Sequence, residues 1–226
     1  MPSSVVHAAI ACTLAIGLLG EFYDRRALAV VLAVVLFPEI DTLFGYLMDG
    51  AHRTVLHNMV LSAVGAVGLY WESSRENSWL RHRFGARGVR LAWVGLVVHT
   101  FAHLALDWAH LSGINILWPF VDRFFALDGE AYLSTTEGFV QTFVEIAEAT
   151  ETDGASIDVG QSGTTDDTHV GSPAQPSRDP DPGPVDRRFP IAVQGWQLFF
   201  VLTGLFALAA RKLQTPRYDK AGGEDV

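Results

Sequence analysis

The sequence predicts an all-α protein, an integral membrane bundle of about five hydrophobic helices carrying an external acidic loop. Three observations lead there. The 226 residues are 49% hydrophobic and only 18% charged, with a mean hydropathy of +0.22, where an ordinary soluble domain is about 25% charged. Apolar segments recur at residues 4 to 20, 27 to 37, 56 to 71, 89 to 108 and 190 to 210. The arginines, finally, fall between those segments in a pattern that one topology accounts for.

The first segment, MPSSVVHAAIACTLAIGLLG, lacks a basic leader and carries His7 inside its apolar stretch, so it reads as a mature helix rather than a signal peptide. The second, ALAVVLAVVLF before Pro38, falls short of the ~20 residues that span a bilayer and reads as a short or broken helix, which a membrane tolerates where protein buries it. The fourth and fifth reach the required length. Arg25 and Arg26, the run from Arg75 to Arg90, and the basic residues after segment five all share one side if the chain crosses five times. By the positive-inside rule that side is the cytoplasm, which predicts a multi-pass cell-membrane protein with the N-terminus outside and the C-terminus cytoplasmic.

The same topology places residues 38 to 55 and 109 to 189 outside. Between Asp128 and Arg188 there are 13 Asp or Glu against 3 Arg, and from about residue 150 onward the text is Gly, Ser, Thr, Pro and Asp, which cannot bury enough apolar surface to fold alone. The chain therefore divides into a membrane helical region with the metal site (1–127), an acidic, largely disordered external loop (128–189) with a short helix expected around FVQTFVEIAEA (139–149), and a last transmembrane helix with a cytoplasmic tail (190–226). A net charge of −9 argues against nucleic acid as a partner, because phosphate binding needs basic surface. With Cys12 as the single cysteine there is no internal disulfide and no thiolate cluster, so any metal must rest on imidazole and carboxylate.

The stretch VVHTFAHLALDWAH (97–110) sets His99, His103, Asp107 and His110 at helical spacings, one polar stripe on an apolar cylinder. Other polar residues sit at helix ends on the same predicted membrane face: His7, then Glu39 and Asp41, then His52, Arg53 and His57. Ionisable groups beside hydrophobic helices are costly, and a divalent cation would neutralise buried carboxylates such as Asp41 and Asp107. Taken singly, His7 and His99 read as hydrogen-bonded core residues, Asp41 as a turn former after Pro38, and His110 either as a third member beside His103 and Asp107 or as the helix end; His82 and His169 read as solvated. The pair His103 and Asp107, one turn apart, reads as ligands.

His7, PEID (38–41), HRTVLH (52–57), HLALD (103–107) and GINILWPF (113–120), in that order, resemble the YdjM-like family of membrane-bound metal-dependent hydrolases over about residues 1 to 125. Glu39 stands where the family usually has Asp, and Leu56 and Asn58 stand around His57 where Thr and Ser are customary. The order is also similar to the all-helical zinc-dependent phospholipase C and single-strand-specific zinc nucleases. That resemblance implies His7, Asp41, His57, His103 and Asp107 as ligands of one or two divalent ions, zinc or manganese, with Asp107 bridging if there are two.

On this reading the protein hydrolyses a small-molecule or lipid phosphoester, such as a phospholipid headgroup, with membrane lipid as its surroundings. Glu39 or His52 would serve as general base or acid, and Arg53 would hold a phosphoryl oxygen by paired donors. A metal-binding transporter or scaffold without catalysis is the alternative. A soluble helical enzyme with a greasy core is a third, opposed by the arginine pattern.

Overall fold

The computed structural model describes residues 3–48, 50–110, 112–147, 156–172 and 189–214. Five long helices carry the architecture: α1 (Ser4–Leu19), α2 (Arg25–Leu36), α3 (Met59–Ser74), α4 (Trp79–His99) and α6 (Gly195–Gln214), with a short α5 (Ala105–Trp108). Among the described residues, four stretches are long and apolar enough to cross a membrane: Ser4–Phe22, Arg25–Gly45, Trp79–Trp108 and Gly195–Gln214. α3, at 16 residues, is shorter. Side-chain caps start four of the helices, with Ser3, Asp24, Asn58 and Ser78 each accepting from a backbone N–H in the first turn. Asn58 thus has a helix-starting role that a Ser would also fill, and its Nδ2 donates back to the carbonyls of Thr54 and Val55.

The break expected in the second segment is present. α2 stops at Leu36 and a tighter 3-10 run, Phe37–Tyr46, continues it. Pro38 has no N–H to give a carbonyl one turn back, so the α ladder cannot pass through it. At the end of α4 a π turn, Thr100–Leu104, precedes α5, and such widened turns concentrate at functional sites.

Small and branched residues of α1, α2, α4 and the π turn after it form the core, among them Ala11, Ala15, Ala27, Val31, Val98 and Ala102. Small side chains let helices approach closely where lipid gives no hydrophobic drive between them. α6 packs on α1 at Gly204, where an added Cβ would stand 2.7 Å from the carbonyl oxygen of Ala9. Large apolar side chains on α3 and α6, including Val64, Val67, Leu202 and Phe206, face outward as they would toward lipid.

The helix expected around residues 139–149 is absent; antiparallel hairpins stand there instead. β1 (Ala131–Ser134) pairs with β2 (Gly138–Gln141), and β3 (Glu145–Ala147) with β4 (Ser156–Asp158). Tyr, Phe, Val and Ile favour the pleated surface, and Ser134 Oγ accepts from the amides of Thr136 and Glu137 to close the first turn. The expectation of disorder is also corrected for 156–172. Gly160 and Gly163 give carbonyls to the amides of Ala126 and Phe124, and the amide and hydroxyl of Thr165 donate to Asp122. Backbone pairing with the segment around buried Phe124 supplies what the polar composition lacks. The remainder of the expected loop, 148–155 and 173–188, and the tail beyond 214 lie outside the described residues.

Candidate metal centre

Four chain segments meet at one end of the bundle: the first turns of α1 bring His7, the 3-10 run brings Asp41, the loop before α3 brings His52, Arg53 and His57, and the end of the fourth span brings His103 and Asp107. All seven side chains are buried, His52 being the most exposed at 4%. The convergence expected from helix ends is therefore realised in space.

Hydrogen bonding assigns the protons. Asp41 takes His52 Nδ1 on Oδ1 at 2.8 Å and His57 Nδ1 on Oδ2 at 2.7 Å, with the Arg53 amide also on Oδ2 at 3.1 Å. A carboxylate accepts, so both imidazoles carry their proton on Nδ1 and leave Nε2 with a free lone pair. His7 Nδ1 donates to the carbonyl oxygen of Ala102 at 2.7 Å, which frees its Nε2 in the same way. Among the described residues neither His7 Nε2 nor His52 Nε2 has a hydrogen-bond partner, although both are buried.

The Nε2 atoms of three imidazoles converge on Asp107. His57 Nε2 and His103 Nε2 lie 2.8 Å apart, and Asp107 Oδ2 is 3.5 Å from the first and 3.7 Å from the second. Asp107 Oδ1 lies 3.5 Å from His7 Nε2. Two ligand nitrogens held at about 2.0–2.1 Å from one ion stand about 2.9–3.3 Å from each other. The triangle of His57, His103 and Asp107 is close to that size, and His103 Nδ1 is unpartnered on the far side of its ring. Two groups could hold a metal ion by the proximity of their donors: His7, His103 and Asp107, and Asp41, His52 and His57. The donor set fits a divalent ion, with two carboxylates and four imidazoles against one guanidinium.

Arg53 departs from expectation. Its side chain is fully buried and directed inward: Nη2 donates to Asp107 Oδ1 at 2.7 Å and Nη1 to the carbonyl of Gly113 at 3.1 Å. The paired donors expected to face a phosphoryl oxygen are spent within the protein, and Nε alone lacks a partner. Its backbone has φ 64°, a left-handed conformation costly for a residue with a Cβ, held by the amide bond to Asp41 and by Asn115, whose amide donates to the Arg53 carbonyl. Gly113 must be glycine, since it has φ +59° and an added Cβ would stand 2.1 Å from the carbonyl oxygen of Phe125.

The expected stripe of four polar residues is split by the π turn. His103 and Asp107 enter the centre, whereas His99 stacks on His103 with ring centroids 6.1 Å apart, one turn deeper. His110 lies past the helix end, where its Nδ1 accepts from the Ser112 amide, and burial lowers its pKa to about 4. Glu39 is half-buried and its carboxylate has no hydrogen bond among the described residues. Sequence reasoning missed the Ala102 and Gly113 carbonyls, since a backbone acceptor leaves no mark in the text. Asn115, in the quoted GINILWPF, carried a signal: a buried amide beside a motif, which here donates to Asp122 and accepts from the Arg123 amide.

Fold and site together define a multi-pass membrane helical bundle with a buried His/Asp centre able to hold metal. The model of the YdjM inner membrane protein family matches residues 1–156, and the chain belongs to that family. It is also similar to inner membrane protein YbcI of Escherichia coli (strain K12), at 28% identity over 134 residues, which cover 56% of this chain and 73% of that protein. No solved structure matches the chain.

Proposed function

We propose that the centre is that of a membrane-embedded metal-dependent hydrolase acting on a phosphoester, with zinc or manganese as the ion and phospholipid headgroups as the substrate class. The observation that carries this reading is the convergence of the Nε2 atoms of His57, His103 and His7 on the two oxygens of Asp107. When bound, a divalent ion supplies the Lewis acidity that polarises a phosphoester oxygen and makes water nucleophilic near neutral pH.

The chain's own residues have separable tasks. Asp41 orients His52 and His57 by their Nδ1 atoms, the carboxylate-to-imidazole arrangement that fixes tautomer and ring plane around a ligand. Arg53 holds Asp107 Oδ1, leaving Oδ2 toward the imidazoles. His52, with Nε2 unpartnered, is the group positioned to take a proton, and Glu39, half-buried at the same end, is the other candidate. Because the spans bury the site among apolar helices, a substrate with its own acyl anchor reaches it more readily than a free anion. The metal-facing end lies on the outer face of the membrane, on the arginine distribution.

One observation favours a second reading, a metal-holding protein without turnover: no residue among the seven of the centre is more than 4% exposed, which suits a closed structural site. Elemental mass spectrometry on detergent-purified protein comes first, comparing the native chain with His103→Ala and Asp107→Asn. One or two equivalents of zinc or manganese, absent from both variants, followed by headgroup release from phospholipid micelles, supports the hydrolase. Stoichiometric metal with no release across a phosphoester panel leaves the closed site standing. Folded native protein that takes up neither metal on addition defeats both.

A further inference from the structure

The two hairpins expose apolar side chains where a soluble surface would rarely place them. Leu133 pairs with Phe139 across β1 and β2, at 83% and 69% exposure, and Ile146 pairs with Ile157 across β3 and β4, at 72% and 58%. Directly opposed residues share one face of a sheet, so each hairpin presents a cross-strand apolar pair. Tyr132 and Phe120 are exposed nearby in the same segment between membrane helices.

Their tether says what lies next to them. The amide of Leu127 donates to the carbonyl of Trp108, the last residue of the span Trp79–Trp108, at 2.8 Å. β1 begins four residues later, at Ala131, so no more than about 14 Å of extended chain separates it from that helix end. β4 ends at Asp158, two residues before Gly160, whose carbonyl accepts from the Ala126 amide. Both hairpins therefore spring from one platform, residues 124–127, fixed to the mouth of a membrane helix, and Gly195 opens the next span. Each interfacial zone of a bilayer is roughly 5–8 Å deep, which is within that reach. A lipid surface is thus continuous with the outward apolar faces of α3 and α6.

Charge selects the kind of lipid. Glu145 and Asp158 are directly opposed on the second hairpin, and Glu130 and Glu137 flank the strands of the first. Four carboxylates at the surface would be repelled by anionic headgroups. We propose that the hairpins lie on the bilayer and insert Leu133, Phe139, Ile146 and Ile157 into a surface of neutral, zwitterionic lipid. The arrangement would hold the 113–127 segment, which supplies the Gly113 and Asn115 neighbours of Arg53, at a fixed depth over the buried centre. It does not depend on metal or on hydrolysis.

The test uses the full chain in phosphatidylcholine vesicles, carrying Leu133→Cys, Ile157→Cys or, as a water-facing control, Thr136→Cys, each labelled with an environment-sensitive fluorophore. The wild-type chain, whose Cys12 is buried, sets the background. Lipid bearing a nitroxide near the headgroup end of its acyl chain should quench the labels at 133 and 157 several-fold more than the label at 136. Replacing part of the phosphatidylcholine with phosphatidylglycerol should reduce that difference. Equal quenching at all three positions would overturn the proposal. So would shielding of 133 and 157 that grows with protein-to-lipid ratio while nitroxide lipid has no effect, because a second copy of the chain would then be the cover.

Discussion

Arg53 and Asp107, separated by 54 positions, are joined by a 2.7 Å hydrogen bond between Nη2 and Oδ1, with neither side chain more than 2% exposed. The same arginine gives its backbone amide to Asp41, so one residue contacts both buried carboxylates of the centre. Removing its charge would strand Asp107 in a low-dielectric site. Arg53→Met should cost about 3–5 kcal/mol of stability, since breaking a buried pair leaves an uncompensated charge. The double variant with Asp107→Leu should recover part of that loss, and equal thermal melting shifts for the single and double variants in detergent would contradict the coupling.

Asp41 predicts a different phenotype. Asp41→Ala leaves His52 and His57 in place and removes the acceptor that sets both rings. Metal affinity should fall about 10- to 100-fold, the usual cost of losing an orienting group around a ligand. Competition with a chromogenic chelator reads this directly, and unaltered affinity with altered melting would assign Asp41 to the fold alone.

Gly204 tests the α1–α6 contact. A Cβ there would press on the Ala9 backbone, which cannot turn aside as a flexible side chain would. Gly204→Val should destabilise by about 1–3 kcal/mol through overpacking, with little effect from Leu205→Val on the exposed face beside it. Similar melting for both variants in the same detergent would mean that α6 does not seat on α1 as described.

Asp24 links stability to pH. The Ala27 amide, and after it the Arg87 guanidinium, hold the Asp24 carboxyl below its ordinary value. A folded-state value below the unfolded one means that the unfolded chain binds the extra proton, so stability rises with pH through that window. The contribution is present above the usual carboxylate value of about 4 and is lost as pH falls through the lower folded value. Melting temperatures recorded from neutral to strongly acid buffer should therefore fall less steeply for Asp24→Asn, which still caps α2 without titrating; parallel curves would remove the assignment.

Much of the architecture can be read from the sequence because its causes are local. Apolar runs of bilayer length, a proline where α2 breaks, capping residues before four helices and arginines between segments all act within a few positions. The order of His7, Asp41, His52, His57, His103 and Asp107 at helix ends on one face was enough to predict their meeting. Hairpins in place of a helix at 139–149 escaped notice because the apolar residues there, Phe139, Val140, Phe143, Val144 and Ile146, fit either period over so short a run.

By itself the sequence determined a multi-pass helical membrane chain, the cluster of polar helix ends and the likeness to the YdjM family that the family match shows. Tertiary structure alone decided the roles inside the cluster. It turned the guanidinium of Arg53 onto Asp107, engaged both oxygens of Asp41 with the Nδ1 atoms of His52 and His57, left His99 and His110 outside the cluster that His103 enters, and folded 156–172 against Phe124. The reason is physical: periodicity and charge fix which face of a segment is buried, but a hydrogen bond depends on distances of tenths of an ångström between atoms brought together from far along the chain.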